Sequence, residues 1–323
     1  MGMRPTIIPV ASGKGGVGKS VFAASLAILL GRMGFDTIAV DLDLGGSNLH
    51  TYFGLPNTHP GVGDYLKQRL AELNQLLVDT PFPKVRFLPG DGKTPFMANI
   101  PKGQRFQLLD DIQHLPARFV VVDLGAGSSI NTMNFFGLAN DSIVITTLDT
   151  PALMNAMVFL RNFLFANILT LAAEDPILHR KLLDLYRRPA SRKNLTAQEA
   201  YQLVSGHNPS LGRTIRSRCQ RFAPRLVLNM GDAAADLAVA SKIRSSLQKN
   251  LSMDVSILGM IFYDDQVRRL VRKNRVVMGE EPPPLYQACL KPIVERIVSG
   301  ERAPDPETLR REAERIGKQY GCC

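Results

Sequence analysis

Eight consecutive residues, Gly13-Lys14-Gly15-Gly16-Val17-Gly18-Lys19-Ser20, have the types and spacing of a loop that cradles phosphate, GxxxxGK[ST]. The glycines let the backbone curl so that its N–H groups point inward at phosphate oxygens. The positive end of a helix starting near Ser20 adds to this anion site. Lys19 is placed to reach the β- and γ-phosphates of a nucleotide, and the Ser20 hydroxyl to sit on Mg²⁺. Lys14 is a second cation that an ordinary phosphate loop does not require.

Two further groups of candidates stand at the ends of apolar runs. Asp41 and Asp43 follow Thr37-Ile38-Ala39-Val40, and alternation puts both on one face. Asp123 follows Phe119-Val120-Val121-Val122 and precedes Leu124-Gly125-Ala126-Gly127. An apolar strand ending in Asp after a phosphate loop is the Walker B arrangement, with the carboxylate near Mg²⁺ or its water shell. No Glu stands where a strong base would sit, so water positioning and slow, partner-stimulated turnover are expected. Leu226-Val227-Leu228 ends on Asn229, whose amide carries both a donor and an acceptor. The Asn-Lys-x-Asp pattern of guanine readers is absent.

These residues need a scaffold that brings strand ends together. Short apolar runs at Thr6–Val10, Thr37–Val40, Val85–Pro89, Phe119–Val122, Ser142–Thr147, Leu226–Leu228 and Val255–Ile261 alternate with helical stretches. Those stretches are Ser20–Met33, Gln104–His114, a run from about Pro151, Ala233–Asn250 and the C-terminal helices over 282–323. This alternation predicts an α/β fold, a mostly parallel sheet flanked by helices. Ligands in such sheets bind beyond the carboxyl ends of the strands. The pattern breaks over 172–224, which reads as a helical basic insertion in one domain spanning 1–323.

The form Lys-Gly-Gly-Val-Gly-Lys-Ser resembles the deviant Walker A loop of the MinD/ParA family of dimerising ATPases. The resemblance covers about residues 5–170 and 225–280. It implies a P-loop NTPase fold, ATP/ADP and Mg²⁺ as ligands, and a homodimer when ATP is bound. It implies nucleotide contacts from Gly13 through Val21 and from Asn229, which would read the adenine edge with its donor and acceptor. Lys14 would reach across the dimer to the partner's nucleotide, Asp43 would lie in the first switch near Mg²⁺ and the attacking water, and Asp123 in the second switch. The stretch Gln266–Arg272 and the switch regions look closest to MinD-like proteins of the flagellar-number-regulator type. Such proteins position cellular machinery, flagella or the division apparatus, and take an activating protein partner. Family members often read Ile-Pro-x-Asp after the last strand, where this chain has Ile261-Phe262-Tyr263-Asp264.

Charge and cysteines set the remaining expectations. Net charge is +10, and residues 1–160 are neutral, so residues 161–323 carry all the excess. Within 176–225, 11 basic residues face only Asp184 and Glu199. They are Arg180, Lys181, Arg187, Arg188, Arg192, Lys193, Arg213, Arg216, Arg218, Arg221 and Arg225. That stretch could serve non-specific DNA, as in a ParA-like DNA-partitioning ATPase, or an acidic partner. An iron–sulfur carrier on the same scaffold lacks support, because Cys219, Cys289, Cys322 and Cys323 form no CxxC. No run of 18 apolar residues and no secretory signal occurs, and a cytoplasmic location is expected. Met1-Gly2-Met3-Arg4-Pro5-Thr6 fits a loose myristoylation pattern, though Thr6 already enters the first strand. Membrane binding has weak support: Pro306–Tyr320 is mostly charged, and Leu285–Val298 reads as a core helix.

Overall fold

The computed structural model describes residues 4–67, 72–90, 100–187, 196–301 and 304–322. Met1, Gly2, Met3, Arg188, Arg192, Lys193 and Cys323 lie outside the described residues. The strands are β1 (Thr6–Ala11), β2 (Thr37–Leu42), β3 (Val78–Asp79), β4 (Val85–Leu88), β5 (Phe119–Leu124), β6 (Ile143–Thr147), β7 (Arg225–Gly231) and β8 (Ser256–Phe262). They form one sheet in the order β3-β4-β2-β5-β1-β6-β7-β8. All neighbours pair in parallel except β3, which runs antiparallel to β4 at the edge.

The helices are α1 (Lys19–Arg32), α2 (Val62–Leu66), α3 (Lys102–Ile112), α4 (Ile130–Phe136), α5 (Thr150–Leu171), α6 (Pro176–Arg187), α7 (Ala197–His207), α8 (Pro209–Gln220), α9 (Ala238–Leu251), α10 (Asp265–Arg272), α11 (Pro284–Ser299) and α12 (Pro306–Tyr320). The segment Ala234–Leu237 before α9 is a 3₁₀ turn rather than the start of the α-helix that the sequence suggests. Every residue of β2 and β5 is buried, which is why those runs are apolar without alternation. Helices α1 and α11 pack together against the sheet, while α4 and α5 cover β1 and β6.

Helix α5 is long and apolar enough, by length and composition, to cross a membrane. Here Phe159, Leu160, Phe163, Leu164, Phe165 and Ile168 are buried within the protein, as expected of a core helix. Helix α11 likewise buries Tyr286, Cys289, Leu290, Ile293, Val294 and Ile297. Its buried Arg296 donates to the Leu258 carbonyl and makes a two-pronged pair with Glu312 of α12. Removing one partner of such a pair costs about 3–5 kcal/mol, because the other charge is left uncompensated. Helices α6, α7 and α8 follow α5 and return the chain to β7.

Candidate nucleotide site

The loop at 13–20 joins β1 to α1 at the carboxyl end of the sheet, between β5 and β6. Gly16 and Gly18 have φ of +81° and +88°, a left-handed backbone that a side chain resists. A Cβ at Gly13 would collide with the backbone of Asn155 and Ala156 in α5, so only glycine fits there. Helix α1 begins at Lys19 with Gly18 as its cap and no capping side chain. Its first N–H groups are therefore left for an anion.

The two lysines of the loop go separate ways. Lys19 is buried, and its Nζ lies 2.7 Å from Asp123 Oδ1, 3.3 Å from Ser20 Oγ and 3.9 Å from Asp43 Oδ2. Lys14 is partly exposed and pairs with Asp149 Oδ1 at 3.0 Å. Asp149 caps α5 by accepting from Ala152 N at 2.9 Å, and it also accepts from the Thr147 hydroxyl. The Thr147 bond, then Lys14, holds the Asp149 carboxyl down at about 2. Sequence reasoning passed over Asp149. The signal available was Asp followed by Thr-Pro at a strand end, a helix-start signature.

Asp41 and Asp123 are direct cross-strand neighbours on β2 and β5, both fully buried. Alternation grouped Asp41 with Asp43, but the two do different things. Asp41 accepts from the backbone N–H of Asp43 at 3.0 Å and of Leu49 at 3.1 Å, which fixes the loop after β2. Asp43 stays part-exposed and faces Lys19, beside Gly125. Burial, and then the nearby Asp123 charge, push the Asp41 carboxyl up to about 7, against the two N–H bonds. Burial also raises Asp123, opposed by the charge of Lys19 and its hydrogen bond.

Asn229 is buried at the end of β7, and one amide hydrogen goes to the Val17 carbonyl at 2.8 Å. It therefore braces the phosphate loop, leaving Oδ1 and the second amide hydrogen for a base. Beside it opens a mostly apolar cavity of about 380 Å³. Val21, Tyr52, Met230, Tyr263, Val267 and Arg272 are among its lining residues, with Gly16 and Gly18 at the phosphate end. Its size and lining suit an aromatic base. Asp264 caps α10 through Gln266 N at 2.8 Å, so the segment without the proline still ends in an ordered turn.

No group of three or more His, Cys, Asp or Glu side chains able to hold a metal occurs among the described residues. Mg²⁺ does not need one, since it is usually held by one or two carboxylates with phosphate oxygens and water. Ser20, Asp43 and Asp123 converge on the Lys19 ammonium, so one hydroxyl and two carboxylates stand together there. The donor set fits the ion.

Residues 8–278 match the model of the CobQ/CobB/MinD/ParA nucleotide binding domain. The chain belongs to this family, and it binds nucleotide. It is 28% identical over 255 residues to the flagellum site-determining protein YlxH of Helicobacter pylori, covering 75% of this chain and 84% of that protein. It is 30% identical over 163 residues to the chloroplastic septum site-determining protein MinD homolog of Arabidopsis thaliana, at 48% of this chain and 49% of that one. Among solved structures it resembles the Pyrococcus horikoshii septum site-determining protein MinD complexed with Mg-ADP. The TM-score is 0.59 at 19% identity, over 93% of this chain and 99% of that chain. A Borrelia burgdorferi plasmid partition protein bound to AMPPNP gives 0.56 at 18%, over 92% and 99%.

Proposed function

We propose that this protein is an ATP-gated dimer switch that hydrolyses ATP slowly with Mg²⁺ and positions cellular machinery such as flagella. One observation carries the reading: Lys19 turns inward to Asp123, whereas Lys14 stays at the surface on Asp149. Lys19 would serve the chain's own β- and γ-phosphates. Lys14 would leave Asp149 and stabilise the phosphoryl-transfer charge in a second copy, as an arginine finger does. Ser20 and Asp123 would hold Mg²⁺, and Asp43 would orient the attacking water. Asp41 positions Asp43 through the loop backbone. The cavity beside Asn229 would take adenine, with Asn229 Oδ1 accepting from its amino group.

The target of the switch is inferred from a relative matched over 84% of its own length, a flagellum site-determining protein. A protein partner that triggers hydrolysis fits the absence of a strong base, and a MinC:MinD complex exists for an Aquifex aeolicus protein of this fold. The cytoplasm, where ATP and Mg²⁺ are plentiful, is the proposed location. The DNA-partitioning alternative rests on fold likeness at 18% identity and on the basic stretch alone.

Sizing with ATP and Mg²⁺ tests the mechanism. The wild type is expected to dimerise, Asp43→Ala to dimerise without turnover, and Lys14→Ala to bind ATP yet lose turnover by roughly a thousandfold, the scale of an arginine finger. A wild type that stays monomeric while hydrolysing ATP at a rate independent of protein concentration refutes the trans lysine.

A further inference from the structure

We propose a second phosphate site, at the opposite ends of the strands, built around α8 and selective for a small ligand carrying two or more phosphates. The site is a recess of about 660 Å³ lined by Gly137, Asn140, Asn167, Phe222 and five residues of α8. Those five are Arg213, Thr214, Ser217, Arg218 and Arg221. At 100° per residue they span roughly a 140° arc of the helix, with Ser217 and Arg221 inside it and Arg213 and Arg218 at its margins. Asn140 precedes β6 and Phe222 precedes β7, so the recess lies where these strands start. The nucleotide loop lies past their far ends, on the order of 16 Å away for a five-residue strand.

The orientation of α8 turns these arginines outward, toward the recess and solvent. Its opposite face, Gly212, Ile215 and Cys219, is buried. A Cβ at Gly212 would collide with Ser205 of α7, so the two helices cross in close contact. Arg216, on the flank, is taken by the ring of Tyr201, 5.3 Å from its centroid. Arg225, just beyond, is taken by Asp141. Arg213, Arg218 and Arg221 make no ion pair with the described residues, and no carboxylate lines the recess.

Three guanidinium groups line one recess with no carboxylate among its lining residues, so an entering anion meets only positive charge. Arginine, rather than lysine, at all three places matches the paired oxygens of phosphate. The Ser217 hydroxyl and the Asn140 amide add neutral donors, as does the one amide hydrogen of Asn167 not given to the Phe163 carbonyl. Concavity favours a compact ligand over a duplex, whose backbone contacts would spread along an open ridge. An acidic peptide would want apolar anchors, and here the one aromatic side chain, Phe222, is buried.

Isothermal titration of the full chain with inorganic pyrophosphate tests this, using wild type, Lys19→Ala and Arg213→Ala/Arg221→Ala. Wild type should show two sites. Lys19→Ala should lose one and keep the other, and the arginine double variant should lose the other by at least about tenfold in affinity. Arg213→Lys/Arg221→Lys should recover part of the loss, since charge returns without the fork, and it guards against a folding defect. Retention of both sites in the arginine variant overturns the proposal. So does a groove that ignores pyrophosphate yet binds a 20-mer DNA duplex or a polyglutamate peptide with arginine dependence.

Discussion

At the carboxyl ends of the strands, Lys19, Asp41 and Asp123 are buried and bonded to one another or to nearby backbone. At the amino ends of β6 and β7, Arg213, Arg218 and Arg221 share a recess in which no described carboxylate meets them. The first region carries its own counter-charges, so its geometry is held before any ligand arrives. The second keeps its cations hydrated, so nothing has been spent on desolvating them. A ligand must displace an existing ion pair at the first region and only water at the second. Exchange of partners at the nucleotide end is what makes a switch, while simple occupancy is all the other end offers.

Lys19→Ala is the strongest way to break that contrast. It should reduce nucleotide affinity by on the order of a hundredfold, since the loop loses its charged phosphate contact. It also leaves Asp123 buried without its cation, and the melting transition should fall by the equivalent of about 3 kcal/mol or more. Arg213→Ala should leave that transition in place. Equal loss of stability in the two variants would erase the distinction between paired and solvated charge.

Asp41→Asn sharpens it through pH. The folded carboxyl titrates at about 7 and the unfolded one at 3.8, so between these values the folded chain holds the extra proton. Stability contributed by that proton is fully present below pH 3.8 and is lost as pH rises through about 7. The urea midpoint of the wild type is expected to fall from pH 5 to pH 8, and Asp41→Asn to flatten that fall. A wild-type midpoint that rises over this window contradicts the assignment.

The smallest effect belongs to Asp149→Asn. Because Lys14 and Asp149 meet at the surface, releasing the lysine should lower the ATP concentration for dimerisation by no more than about fivefold. Raised salt should mimic the variant. A shift in the opposite direction, read by light scattering, would mean that the pair supports the dimer rather than restrains it.

What the sequence made legible follows from how each feature is encoded. The central strands are continuous apolar runs because they are buried on both faces, and the phosphate loop is one contiguous motif. The edge strand β3 has two residues and no pattern to detect. Lys14 and Asp149 are 135 residues apart, so their pairing exists only after β1 and β6 lie side by side. Asp41 and Asp43 look equivalent by alternation, yet burial and two backbone N–H groups separate their roles. The excess of arginine was plain in the composition. Which arginines share a recess depends on the face that α8 buries, and on Asn140 and Asn167 reaching it from other elements.

Helix α5 touches both regions. Its Asn155 and Ala156 lie against Gly13 of the phosphate loop, and its Asn167 lines the arginine recess. The twelve steps from Asn155 to Asn167 span roughly 18 Å of helix, with no glycine or proline from Ala152 to Leu171 to act as a hinge. The two chemistries of this protein are thus mounted on one stiff rod. When the loop at 13–20 shifts against its upper end, the lower end has no joint at which to stay behind.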